Sequence, residues 1–207
     1  MNELVKTTID NLVKRNITGH YFKEPEALKN KVVELVAPGS SVIICGSVTA
    51  DETGVRDYFL NNEDKYKILN PYKKGLSPAA SVEIRRQGLL ADVSIMGLNA
   101  ITIDGEIINT DGSGNRVAGL IFGPKKVIIV CGTNKIVKNI QEGVDRIKNI
   151  AAPMNSTRLN KKTPCVKTGN CKECLVDDCI CSATAVLRRS FFKDRIYVLF
   201  IEGKWGY

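Results

Sequence analysis

Val127-Ile128-Ile129-Val130-Cys131 is the most apolar short run in the chain, and Gly132-Thr133-Asn134 follows it directly. Five apolar residues with no polar alternation leave no face for water, as in a strand buried on both sides of a sheet. Beyond the turn, Ile136, Ile140, Val144 and Ile147 recur at helical spacing, with Thr133 placed to cap the helix that carries them. Strand, tight turn and amphipathic helix in that order make the repeating half of a parallel α/β fold.

The same rhythm extends on both sides. Ser41-Val42-Ile43-Ile44-Cys45 reads as a second buried strand ending at Gly46-Ser47, and Asp92–Met96 reads as a third. Lys67–Leu69 and Ile196–Ile201 supply two more. Helices are expected over Asp51–Leu60, after Asp111-Gly112, and from Ser77-Pro78 through Leu90, where Ser77 is a good N-cap and Pro78 suits the first helical position. Two helices open the chain. One carries Val5, Ile9, Leu12 and Asn16 with Ile17 at its apolar end; the other carries Leu28, Val32, Leu35 and Val36 between Pro25 and Pro38-Gly39. Ala100–Ile103 and Glu106–Asn109 flank Asp104-Gly105, the signature of a type I′ hairpin. The expected architecture is α/β, a mainly parallel sheet with helices on both faces, formed by one domain over residues 1–207.

Composition narrows the function classes. A chain of 207 residues that is 43% hydrophobic can bury one sizeable core. No apolar run approaches the ~20 residues that span a bilayer. Met1-Asn2-Glu3-Leu4-Val5-Lys6 lacks the pattern of a signal peptide, so a cytoplasmic address with reduced thiols is expected. The charge of +8, from 30 basic and 22 acidic residues, suits an anionic small molecule, an acidic partner or nucleic acid. The basic residues are scattered, however, and aromatics make up only 6% of the chain. That combination argues against a base-stacking nucleic-acid surface and for ordinary solvated charge; the expected partner is a small anionic ligand, a carboxylate, a phosphate or a CoA ester.

Five of the seven cysteines fall between Cys165 and Cys181, inside a cysteine-rich segment covering residues 161–184. Cys45 and Cys131 instead end apolar strands, where a thiol acts as a small hydrophobe. Cys171 and Cys174 form a Cys-x-x-Cys pair, close enough to share a metal. Lys161, Lys162, Lys167 and Lys172 flank the cluster and favour thiolates. A loop-rich segment buries little apolar area, and a metal would supply the folding energy it lacks. Disulfides and redox thiols are the competing readings, and nothing in the sequence suggests the export that disulfides need. Zinc and an iron–sulfur cluster both accept four thiolates, and spacing does not separate them.

Three glycine-rich turns follow strands where an open α/β sheet presents its ligand-binding edge. They are Gly46-Ser47-Val48-Thr49, Asp111-Gly112-Ser113-Gly114-Asn115-Arg116, and Gly132-Thr133-Asn134. Backbone N–H groups there could face an anion, and Arg116 could add a bidentate contact. Asp51, Glu52, Asp104 and Asp111 are acid or base candidates nearby. Each loop alone is ordinary turn chemistry; three on one edge make a pocket. No Walker A or dinucleotide fingerprint is present. His20, the lone histidine, has no sequence partner and reads as half-buried and structural.

These residues resemble a known family. Gly46-Ser47-Val48-Thr49 with Glu52-Thr53-Gly54 is similar to a segment of the lactate-utilization (LUD) family. So are Asn99-Ala100-Ile101-Thr102 with Asp104-Gly105, and Asn109 and Asp111-Gly112 through Gly114-Asn115-Arg116-Val117. Arg85-Arg86-Gln87, Gly123-Pro124-Lys125-Lys126-Val127, and Pro164-Cys165 with Thr168-Gly169, Cys171 and Cys174 complete the likeness. It covers nearly the whole chain and fits the small, cysteine-bearing branch of the family.

The resemblance implies a Rossmann-like sandwich similar to ribose-5-phosphate isomerase A and the CoA transferases. It implies metal ligands at Cys165, Cys171, Cys174 and Cys181, with Cys179 a spare thiol competing for the fourth place. It implies ligand contacts from Gly46, Ser47, Thr49, Asn99, Asp104, Gly112, Asn115 and Arg116, with Glu52 and Asp111 as catalytic candidates. The implied role is an accessory or ligand-binding subunit in oxidation of lactate or a similar organic acid, working with redox partner proteins and compatible with a homo-oligomer. A stand-alone enzyme on a sugar phosphate or acyl-CoA, and a metal or redox sensor or electron carrier, are the alternatives.

Overall fold

The computed structural model describes residues 1–207. In chain order the elements are α1 (Glu3–Lys14), β1 (Ile17–Phe22), α2 (Pro25–Leu35), β2 (Ser41–Ile44), α3 (Val48–Glu52), α4 (Val55–Leu60), β3 (Lys67–Leu69) and α5 (Pro78–Gly88). Then follow β4 (Val93–Met96), β5 (Ala100–Thr102), β6 (Ile107–Asp111), α6 (Asn115–Ile121), β7 (Lys126–Gly132), β8 (Ile136–Val137) and α7 (Ile140–Arg146). A π-helical turn at Ile147–Ala151 joins α7 to α8 (Ala152–Arg158), and α9 (Pro164–Thr168), β9 (Ala183–Leu187) and β10 (Ile196–Ile201) complete the chain. No helix is long and apolar enough to cross a membrane.

Six strands form one sheet in the order β1-β10-β7-β4-β2-β3, and every pair in it is parallel. The apolar runs at Val127–Cys131 and Ser41–Cys45 lie inside it, as expected. Alternate residues of the central strands divide between two cores. Ile43, Cys45, Met96, Ile129, Cys131 and Phe200 pack under α1, α5 and α6 with Leu12, Ile84 and Leu120. Val42, Ile44, Ile95, Ile128, Val130 and Leu199 pack under α2, α3 and α4 with Leu28, Val32, Ala50, Val55 and Phe59. Helices on both faces thus follow from strands apolar on both faces.

A second sheet, β8-β5-β6-β9, departs from the single-sheet expectation. It is mixed: β5 pairs parallel with β8, and β6 antiparallel with both β5 and β9. The α7–α8 segment covers its outer face through Ala100, Ile108, Val137, Ile147 and Ala152.

Several local expectations change. Ile17 starts an edge strand instead of ending α1, and the glycine within that strand lets α1 lie close: a Cβ on Gly19 would sit 3.0 Å from Ile9 Cγ1. His20 lies in this strand half-buried, and burial is the main cause of its lowered pKa. The helix expected over 51–60 is two short helices, broken where Gly54 takes φ 71°. The helix opened by Ser77-Pro78 stops at Gly88, two residues short of Leu90. Thr133 caps no long helix, because its hydroxyl accepts from Gly203 N–H at 2.9 Å and donates to the Gly203 carbonyl. Asn139 does the capping instead, accepting from Glu142 N–H at 2.9 Å. The Asp104-Gly105 turn is not type I′: only Gly105 has positive φ, and Gly105 N–H returns to the Thr102 carbonyl at 2.8 Å, a three-residue connection.

Candidate functional site

The carboxyl ends of β2, β4 and β6 and the turn after β7 surround a cavity of about 690 Å³. Its wall includes Gly46, Ser47, Gly97, Asn99, Asp111, Gly112, Asn115, Arg116 and Lys135. Ser47 N-caps α3 through its Oγ, which accepts from Ala50 N–H at 3.2 Å. Gly97 must lack a side chain here, because a Cβ would lie 2.7 Å from Ser47 Oγ. Asp111 and Arg116 form the rigid part of the wall. Arg116 Nε donates to Asp111 Oδ1 at 2.9 Å, its backbone N–H reaches Oδ2 at 3.2 Å, and Nη2 donates to the Thr110 carbonyl at 2.9 Å. Asn99 Oδ1 accepts from Thr110 N–H at 2.7 Å, tying the β4 loop to β6.

Cations dominate the lining. Arg56, Arg85, Arg116, Lys135, Arg158 and Lys161 face Asp51 and Asp111. Asp51 pairs with Arg56, Asp111 with Arg116, and Lys161 reaches out to Asp178 at 3.2 Å. Arg85, Lys135 and Arg158 have no carboxylate partner in the cavity; Arg158 is instead held by the Asn155 side chain. The Arg85 guanidinium lies 5.6 Å above the Tyr72 ring, and its Nε is buried without a hydrogen-bond partner. Tyr72 also carries Arg56 at 5.3 Å and accepts from Gly46 N–H at 2.9 Å. A confined site with an excess of fixed guanidinium donors attracts an anion and orients it.

Not every expected residue converges here. Thr49 is fully buried beneath the wall, donating to the Trp205 carbonyl at 3.2 Å and accepting from Lys135 Nζ at 3.0 Å. The Glu52 carboxylate accepts from Gly206 N–H at 2.7 Å, so it anchors the 202–207 segment and does not line the cavity. Asp104 lies at the hairpin turn, where its carbonyl accepts from Arg15, outside the cavity. Conversely, Lys135, Tyr72, Arg56 and Arg158 escape a reading by motif, and Arg85, within a segment of the resemblance, carries no implied ligand role. Lys135 is one residue beyond the flagged Gly132-Thr133-Asn134 turn; the others come from helices and a loop whose convergence depends on the whole sheet.

The cysteine-rich segment roofs the cavity. Ile180 sits on Gly112, where a Cβ would meet its Cα at 3.3 Å, and Cys179 and Cys181 enter the cavity wall. A second cavity of about 250 Å³ lies behind, lined by Cys171, Cys174, Cys179 and Cys181 with Thr110, Ile147, Ala152 and Thr184. Cys179 and Cys181 therefore lie on the wall that the two cavities share. All seven cysteines are free thiols. Cys165 is buried in α9 against the hydroxyls of Thr163, at 3.1 Å, and Ser156, at 3.6 Å. Burial first, then the neighbouring thiols Cys179, Cys171 and Cys165, pushes the Cys181 thiol up to about 12. The donor chemistry suits zinc or an iron–sulfur cluster, but no three of these side chains are already arranged to hold a metal ion.

A family model for the LUD domain matches residues 5–201. The chain belongs to the LUD domain family. The crystal structure of a DUF162 family protein from Deinococcus radiodurans shares the fold, with 16% identity, 97% of each chain covered and a TM-score of 0.56. Ribose 5-phosphate isomerase from Plasmodium falciparum aligns over 56% of this chain and 52% of its own, at 17% identity and a TM-score of 0.36. The β subunit of eIF2B from Chaetomium thermophilum aligns over 57% and 44%, at 15% identity and a TM-score of 0.38. The chain thus spans about half the length of these last two. No curated protein matches the sequence. The LUD chain has the mainly parallel, helix-flanked sheet that its sequence pattern indicates.

Proposed function

We propose that this LUD protein binds a small organic anion in the cationic cavity and serves as an accessory, ligand-binding subunit in oxidation of lactate or a similar organic acid. The cysteine cluster would hold zinc or an iron–sulfur cluster through Cys165, Cys171, Cys174 and one of Cys179 and Cys181. The observation that carries the reading is the excess of cations in the cavity lining, where Arg85, Lys135 and Arg158 have no carboxylate partner while Asp51 and Asp111 are already paired. A carboxylate or phosphate offsets such an excess of positive charge, and a guanidinium recognises it through two parallel hydrogen bonds. Gly46, Ser47, Asn99, Gly112 and Asn115 complete the polar wall.

When bound, an iron–sulfur cluster would supply one-electron transfer, and zinc would supply structural closure. The protein's own residues orient the anion: Arg116 is fixed by Asp111, and Tyr72 fixes Arg56 and Arg85 by stacking. Of the acid or base candidates, Asp51 and Asp111 line the cavity, and Glu52 and Asp104 do not.

The test is calorimetric titration of the anaerobically purified chain with lactate, pyruvate, ribose 5-phosphate and acetyl-CoA, together with iron, zinc and sulfide analysis. Saturable binding of a hydroxy or oxo acid that weakens in Arg85→Gln supports the reading. Binding confined to ribose 5-phosphate or acetyl-CoA would replace it with a stand-alone enzyme acting on those compounds. Stoichiometric iron and sulfide with no anion bound would favour an electron carrier or sensor.

A further inference from the structure

Lys135 has no assigned task and an unusual position. It ends the short turn after β7, at the carboxyl edge of the sheet, and contributes to the wall of the anion cavity. Only 4% of it is exposed. Its Nζ has one hydrogen-bond acceptor, Thr49 Oγ1 at 3.0 Å, for the three donors of an ammonium. No carboxylate forms an ion pair with it: Asp111 is held by Arg116, and Glu52 by Gly206 N–H. The groups around it are Cys131 beneath, the guanidiniums of Arg116 and Arg146, and the Glu52 carboxylate. Burial first, with those two cations adding to it, brings the amine down to about 8.

A buried ammonium with two unmade hydrogen bonds is costly, and losing the proton relieves the cost. A neutral amine in the wall of a cavity lined by guanidiniums is an arrangement in which lysine attacks a carbonyl. We propose that Lys135 is a nucleophilic amine that forms an imine with an anionic carbonyl compound held in the cavity. The proposal rests on the reading of that cavity as an anion site. The Nζ lone pair forms a bond to the carbonyl carbon, both N–H protons of the neutral amine pass in turn to the carbonyl oxygen, and that oxygen leaves as water. The C=O bond becomes C=N with no change in oxidation level, so no further reactant is needed. The anionic group on Arg85 or Arg116 would set the distance at which the carbonyl meets Nζ. A carboxylate next to the carbonyl and a phosphate one carbon further away share this chemistry.

The experiment uses the wild-type chain. Cyanoborohydride is added with glyoxylate in one arm and glycolaldehyde phosphate in the other, and the modified lysines are mapped by peptide mass spectrometry. Near neutral pH an amine of pKa about 8 is richer in the neutral form than an exposed lysine by roughly two orders of magnitude. Saturable, preferential reduction onto Lys135 over the exposed Lys73 and Lys74 is expected, and the faster arm identifies the anionic group. Calorimetric binding of these compounds with Lys135 left unlabelled would overturn the imine and leave the anion site standing, with Lys135 a hydrogen-bond donor. No binding in either arm, with label spread over exposed lysines, would remove both.

Discussion

Arg116 grips Asp111 at two points, with Nε 2.9 Å from Oδ1 and the backbone N–H 3.2 Å from Oδ2. Both side chains are largely buried, so the pair is a fixed corner of the cavity and unlike a surface ion pair. Asp111→Ala leaves an uncompensated guanidinium there and is expected to cost about 3 kcal/mol. Urea denaturation checks this; a loss well under 1 kcal/mol would mean that the guanidinium finds another partner.

Lys135 makes stability depend on pH with a definite sign. Its folded pKa, about 8, lies below the unfolded 10.5, so between those values the unfolded chain binds more protons and stability rises with pH. The cost is fully present below pH 8. Against Lys135→Met, the wild-type chain should gain on the order of 3 kcal/mol between pH 8 and 10.5. Chemical denaturation of both proteins across that range measures the difference, and parallel curves would refute burial of the amine.

Gly143 lets α7 lie against the second sheet. A Cβ there would overlap Ile108 Cδ1 and touch Ala100 Cβ at 3.4 Å. Gly143→Ala is therefore expected to destabilise by about 1–3 kcal/mol, despite alanine's better helix propensity. The urea midpoint should fall with an unchanged slope. A stabilised variant would show that α7 can shift without penalty.

Arg195 is buried and donates to three carbonyls near the end of α6: Gly119 at 2.7 Å, Leu120 at 2.8 Å and Pro124 at 3.1 Å. Replacing it with Met strands those acceptors, at a cost of roughly 3 kcal/mol. The readout is the melting temperature, and Arg195→Lys should recover only part of the loss, since an ammonium does not reproduce the planar fork.

The thiols offer a test of ligand choice. If Cys181 is the fourth ligand, Cys181→Ser lowers metal content after anaerobic purification while Cys179→Ser does not. The reverse result would exchange their roles. Cys171→Ser with Cys174→Ser should abolish metal binding in either case.

Much of the fold is visible in local pattern. Val127–Cys131 and Val42–Cys45 have no polar residue inward or outward, which suits a strand covered on both faces. Lys67–Leu69 and Ile196–Ile201 occur as strands over those same residues. Ile17–Phe22 was hidden because an edge strand with Gly19 and His20 carries no clear periodicity. Ala183–Leu187 was hidden because its alternation is shallow, with half-buried and exposed residues in turn.

The sequence by itself determined the layered α/β class, most strand positions, the cluster of thiols, and the Gly46-Ser47 and Asp111–Arg116 loops. These follow from residues close in the chain, where hydrophobic period and turn chemistry act. Tertiary structure alone decided that Glu52 holds the 202–207 segment while Asp111 faces the cavity, and that Arg85 and Tyr72 join Arg116 there. It also placed Cys179 and Cys181 on the wall between the two cavities, and buried Lys135 beside Thr49, 86 residues away in sequence. A side chain's desolvation and its partners are set by whatever the sheet order brings alongside, and no local window contains that information.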